Sequence, residues 1–223
     1  MPSTKTLYLH LISSIARSSP RLRVSQRHHL AYEIRDSLLL AGYLLDLSGL
    51  QAGAFYLNAF VQPLYVPHES IFLTFGKRLS GGKRWIINAE DEAAVMEEVL
   101  RAIEEEGKSL VDELGAIERL AGIAEGKPGS KENPFGWRLD DPNMLETRAY
   151  TWALLRDQSR ARRDLLYLTQ VFVPTYPWEK EIQNRSSKIL DALDKSVEAA
   201  GNVLADWAKQ TASQLGLDIA PII

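Results

Sequence analysis

Within His28–Asp36, HHLAYEIRD, nine residues hold six ionisable or phenolic groups: His28, His29, Tyr32, Glu33, Arg35 and Asp36. Carboxylates, an arginine and imidazoles brought together are the parts of an acid–base site, because one group can take a proton while another holds charge in place. A small hydrolase or nucleotide-handling enzyme would use Glu33, Arg35 and Asp36 in this way. The same residues also fit a loop tied down by salt bridges, and both readings stand at this point.

A second stretch, GKRLSGGKR over Gly76–Arg84, has the look of a phosphate-binding loop. It departs from a Walker loop in three ways. Gly76 is one residue too far from Lys83, Arg84 stands where a serine or threonine would hold magnesium, and WIIN follows where a helix should begin. The stretch therefore predicts a hairpin turn with Lys77, Arg78, Lys83 and Arg84 as its solvated flanks.

The chain has no cysteine, which removes disulfides, thiolate metal sites and cysteine nucleophiles. Its four histidines, His10, His28, His29 and His68, show no H-x3-H or H-E-x-x-H spacing, and no G-x-S-x-G elbow occurs. No metal or cofactor is expected. Four arginines, Arg156, Arg160, Arg162 and Arg163, crowd one short region. Asp157 is placed to cap a helix there, and cations in the first turns oppose the helix dipole. They predict either ion pairs with nearby carboxylates or a basic ridge that recognises an acidic partner, for which arginine forks are suited.

The elements that must position these residues follow from periodicity. Thr4–Arg17 carries Leu7, Leu11 and Ile15 at helical spacing, and Ser18-Ser19-Pro20 closes it. A loop leads to four apolar runs, Leu38–Leu47, Phe55–Tyr65, Ser70–Phe75 and Trp85–Asn88, separated by turn residues. These predict a four-stranded antiparallel meander near residues 38 to 88. Both faces of its middle strands are apolar, so both should be covered, and Pro63 should lie where its strand leaves the sheet.

From Glu90 the period changes to that of a helix, with Val95, Val99 and Ile103 on one side and a run of glutamates on its wet face. A short helix near Ala116–Ala124 comes next. Gly126–Gly136, GKPGSKENPFG, has linker composition. It divides an expected sheet domain, 1–125, from an expected helical subdomain, 137–223. Pro142–Leu155 and Gln158–Val171 predict two short helices. A long final helix is then expected, because ten positions from Ile182 to Leu215 are spaced by three or four residues. Their mean spacing of about 3.7 keeps one stripe on one face, and Gly201 is the expected kink or break.

With 223 residues, 45% hydrophobic and 25% charged, the chain has the composition of an ordinary globular protein. A net charge of −3 gives no general attraction to nucleic acid or to anionic lipid. The N-terminal TLYLHLISSIA contains His10 and runs into Arg17, Arg21 and Arg23, as an amphipathic helix does and a signal segment does not. The longest apolar run elsewhere, Leu38–Leu45, is less than half of a membrane span. A cytoplasmic protein is expected.

The text FYLNAFVQPLYVP followed by FGKRL, a tryptophan strand and a helix leading to LVDELGAIERLAG resembles uncharacterised bacterial protein families, domains of unknown function. Some of their relatives look like immunity or antitoxin proteins. AYTWALLRDQSRARRDL is similar to the first half of a helical hairpin in those proteins, and WAKQTASQLGL to their C-terminal helix. The resemblance implies binding of another protein without catalysis, possible toxin neutralisation included, and names no catalytic residues. The expectation is an α+β protein that binds another protein. The alternative is the hydrolase or nucleotide-handling enzyme built on Glu33, Arg35 and Asp36.

Overall fold

The structure, a computed structural model, describes residues 2–126, 138 and 140–219. It is α+β, with an N-terminal helix, an antiparallel sheet and then helices, as the periodicity predicts. The described residues divide into two compact units. The first comprises residues 2–62, 70–115 and 217–219, and the second 63–69, 116–126, 138 and 140–216. Of the expected linker Gly126–Gly136, the residues from 127 on lie outside the described ones.

In the first unit, α1 (Thr4–Arg17) starts at Ser3, whose hydroxyl accepts a hydrogen bond from the Thr6 amide at 3.2 Å. Leu7, Leu11, Ile12 and Ile15 form its buried face. The sheet has six strands rather than four: β1 (Arg23–Ser25), β2 (Leu30–Arg35), β3 (Leu39–Leu47), β4 (Ala54–Pro63), β5 (Phe75–Arg78) and β6 (Arg84–Ile86). Their order is β1-β2-β3-β4-β5, with β6 also paired to β4. The two additional strands, β1 and β2, occupy the stretch read as a loop, and the strand expected at Ser70–Phe75 lies instead at Phe75–Arg78. β2 alternates Leu30, Tyr32 and Ile34 with Ala31, Glu33 and Arg35, so its charged pair shares one face and hides the strand pattern.

β4 is buried at nine of its ten positions, so neither of its faces is wet, and it ends at Pro63. β5 pairs with its second half, from Val61↔Phe75 to Asn58↔Arg78, and β6 with its first, from Tyr56↔Arg84 to Ala54↔Ile86. The GKRLSGGKR stretch is thus not the expected hairpin, because its two short strands pair side by side with β4 rather than with each other; the tight turn between them has φ of 50°, 62° and 82° at Ser80, Gly81 and Gly82. α2 (Glu92–Ala102), a π-helical turn (Ile103–Gly107) and α3 (Lys108–Leu114) follow. Their acidic face meets the cations of this stretch, Lys83 to Glu98 at 2.6 Å and Lys77 to Glu106 at 3.3 Å.

The second unit holds α4 (Ile117–Glu125), α5 (Pro142–Leu154), α6 (Gln158–Leu166), a π-helical turn (Tyr167–Val171), α7 (Pro177–Lys195) and α8 (Val197–Gln214). Asp141 caps α5, with Pro142 in the first turn, and Asp157 caps α6 by accepting from the Arg160 amide at 3.0 Å. Leu145, Leu168 and Ile182 form a core cluster with Phe172 packed against it. The Tyr65 hydroxyl meets that of Thr151 at 2.7 Å in the interior.

The expected long helix is two helices that meet at Ser196, and Gly201 lies inside the second. Ser196 is extended, at φ −170° and ψ 162°, and caps α8 by accepting from the Ala199 amide at 3.0 Å. The apolar stripe passes through the joint because periodicity records which positions are buried, not whether the backbone between them stays helical.

Candidate functional site

The structure brings Glu33 and Arg35 together on one face of β2 and leaves Asp36 elsewhere. Arg35 donates to Glu33 from Nε and pairs with it through Nη2 as well. Its Nη2 also donates to Asp112 at 2.9 Å, and Nη1 donates to the Val111 carbonyl at 3.1 Å. All three guanidinium nitrogens are therefore engaged, and they staple β2 to the end of α3. Gly115 lies flush against this group, since a Cβ there would fall 1.7 Å from Nη1. Asp36 and Ser37 have φ of 50° and 59°, the geometry of the tight β2–β3 hairpin turn. Asp36 is exposed in that turn.

A cavity of about 210 Å³ opens beside this staple, lined among others by Ser18, Glu33, Arg35, Tyr43 and Asp112. Burial, with Asp112 and Glu33 adding to it, pushes the Tyr43 hydroxyl up to about 12, so it is protonated at neutral pH. His29 sits in the β1–β2 turn with its ring centre 5.9 Å from that of Tyr8 in an edge-to-face arrangement, and His10 pairs with Glu92 at 3.0 Å. Among the described residues, no group of three or more histidine, aspartate or glutamate side chains is placed to hold a metal ion.

Each of the four arginines singled out in the sequence faces a carboxylate. Arg156 lies 3.7 Å from Glu198, and Arg162 pairs with Asp194. Arg160 is 3.6 Å from Asp157 and 3.8 Å from Glu125, with its guanidinium 4.4 Å over the Trp152 ring. Arg163 meets Asp164 at 2.9 Å and Glu125 at 3.7 Å. Asp164 is itself buried and bidentate to Arg148, at 2.6 and 2.9 Å.

The second unit also contains a constellation that the sequence reading did not find. Glu146, with none of its surface exposed, accepts from Arg185 Nε at 2.8 Å, Arg185 Nη2 at 3.0 Å and the Tyr150 hydroxyl at 2.9 Å. Burial raises the Glu146 carboxyl above its ordinary value, against the opposing pull of Arg185. Burial alone would lower Arg185, but its bond to Glu146 outweighs this and keeps it charged. Its third nitrogen, Nη1, has its nearest carboxylate at 3.9 Å, on Glu181.

Arg185 lines a cavity of about 300 Å³ with His68, Glu69, Asn143, Trp178 and Glu181. Burial pushes the His68 imidazole down from its ordinary value and Arg185 acts in the same direction, so the ring is neutral at neutral pH. No spacing rule links Glu146 to Arg185, which lie 39 residues apart on different helices. The one available signal was a glutamate in phase with the apolar residues Met144, Leu145, Ala149 and Tyr150.

Trp178 belongs also to an exposed apolar ridge. Tyr167, Val171, Val173, Tyr176 and Trp178 are all exposed, Val173 at 80%, within twelve residues that carry no charge. The π-helical turn ends where Phe172 becomes extended and enters the core, which turns Val171 and Val173 outward. The ridge is held from behind. Gln183 Nε2 donates to the Leu168, Thr169 and Phe172 carbonyls at 3.3 to 3.5 Å, and Glu179 accepts from the Thr175 and Tyr176 amides at 2.6 and 2.9 Å. Tyr176 and Trp178 stack with ring centres 6.3 Å apart and planes 6° from parallel.

No protein-family model, curated protein or solved structure matches the chain. Among the described residues no helix is long and apolar enough to cross a membrane.

Proposed function

We propose that the chain is a non-catalytic protein-binding module whose docking face is the 167–178 ridge of the second unit. One observation carries the reading: five large apolar side chains are exposed together on a braced backbone. Single exposed apolar residues are ordinary, and Leu50, 97% exposed at a turn, is one of these. Five within twelve residues, two tyrosines and a tryptophan among them and the Tyr176 and Trp178 rings stacked, are a concentration of the kind that marks interaction surfaces. Bracing favours binding further, because little side-chain and backbone freedom remains to be lost on association. Neutralising a toxin, which the resemblance implies, is one activity that such a face supports.

The test is site-specific photo-crosslinking in the source cells, with a photoreactive residue at position 173 or, as control, at position 50. The expected result is a discrete adduct from position 173 alone, lost when Val171→Asp is added to the same chain. No adduct from position 173, or the same products from both positions, overturns the reading.

A further inference from the structure

We infer that the cavity beside Trp178 is the specificity pocket of this docking face and receives a lysine or arginine side chain of the bound protein segment. The inference rests on the docking reading above, since Trp178 is both the end of the ridge and a wall of the cavity.

Charge decides the chemistry of the occupant. Arg185 is matched by the buried Glu146 beneath it, through two hydrogen bonds of 2.8 and 3.0 Å. His68 contributes no charge at neutral pH. Two carboxylates are left at the mouth. Glu181 lies 3.9 Å from Arg185 and is 69% exposed, and Glu69 makes no hydrogen bond or ion pair among the described residues. An acidic side chain entering here would gain little from an arginine already neutralised and would sit beside both glutamates. A cation meets the opposite field, and the exposed Trp178 ring offers it a cation–π face.

Size and apolar lining agree with this choice. At about 300 Å³ the cavity is at the lower end of ligand sites, room for one long side chain. Pro67 and Ile182 supply apolar wall for its methylene stem. Arg185 Nη1, with no acceptor inside hydrogen-bond range among the described residues, is available to a backbone carbonyl of the docked segment and keeps a second cation from entering deeper. The ridge thus supplies apolar area, and the cavity selects what may lie beside it.

The experiment selects random peptides displayed on phage against the full chain, with the full-length Val173→Asp variant as counter-target, so that only ridge-dependent binders are kept. Those binders are expected to be enriched in lysine or arginine. Their affinity should fall about tenfold in the Glu69→Gln/Glu181→Gln variant, the scale of a lost cation contact. Replacing the peptide's basic residue with alanine should produce a similar loss. Melting curves of the variants, whose changes lie on exposed side chains, confirm that they are folded. Ridge-dependent peptides without basic enrichment, or with unchanged affinity for the glutamine variant, overturn the pocket assignment and leave the docking face standing. If no peptide depends on the ridge, the docking reading falls and the pocket assignment falls with it.

Discussion

Arg35 in the first unit and Arg185 in the second are each bound to a glutamate through two nitrogens, yet they do different work. Arg35 also donates to Asp112 and the Val111 carbonyl, so each of its three nitrogens holds a protein acceptor and a single Nη1 hydrogen is left over. Arg185 is fixed on a carboxylate that is wholly buried, and its Nη1 makes no hydrogen bond among the described residues. The difference lies in the number of acceptors the fold supplies: an arginine with an acceptor on every nitrogen is a fastener, and one with a spare nitrogen is a presenting group. Depth adds to the contrast, because Glu146 depends on Arg185 for compensation in a way that Glu33, at the margin of a cavity, does not.

The largest expected effect follows from that depth. Arg185→Ala leaves Glu146 buried without its cation and should cost about 3 to 5 kcal/mol in denaturant unfolding. Its pH dependence sharpens the comparison. The Glu146 carboxyl is raised in the folded protein, and losing Arg185 raises it further. A raised acid stabilises below its unfolded value, and that stabilisation is lost as pH rises through the folded value. The gap between the parent protein and Arg185→Ala should therefore narrow on going from about pH 8 to about pH 5, where the stranded carboxyl binds a proton. A gap independent of pH would show that Glu146 is not the group left uncompensated.

Arg35→Ala removes hydrogen bonds to one carbonyl and two carboxylates, of which Asp112 is exposed. A loss of about 1 to 3 kcal/mol is expected, measured by the same unfolding curves. A loss equal to that of Arg185→Ala would erase the distinction drawn between the two arginines. The smallest effect belongs to Arg162, whose pair with Asp194 is half in solvent. Arg162→Ala should cost no more than about 1 kcal/mol and lose even this in high salt.

What the sequence makes legible here is what depends on neighbours along the chain. The α1 period, the β4 run ending at Pro63 and the Asp157 cap are local patterns, and each is present in the structure. β2 was hidden by its own charges: Glu33 and Arg35 in alternate positions look like chemistry until Asp112 and Val111, far along the chain, are seen to receive the arginine. Ser196 breaks a stripe that burial alone carries across it. The pairing of Glu146 with Arg185 and the ridge that bends around Phe172 arise from helices meeting in space, and no periodicity encodes them.

The close fit of Gly115 against Arg35 has a consequence for how this sequence can diverge. A Cβ at position 115 would fall 1.7 Å from Arg35 Nη1 and 2.7 Å from the Val111 carbonyl oxygen, so a side chain there displaces the guanidinium and also presses on fixed backbone. The two sites form a coupled pair separated by 80 positions in the chain. Shortening Arg35 relieves the first of these contacts and leaves the second, so a substitution at Gly115 is penalised in either order and least after position 35 has shortened. Drift through this part of the molecule therefore has a preferred order, imposed by one missing methyl group.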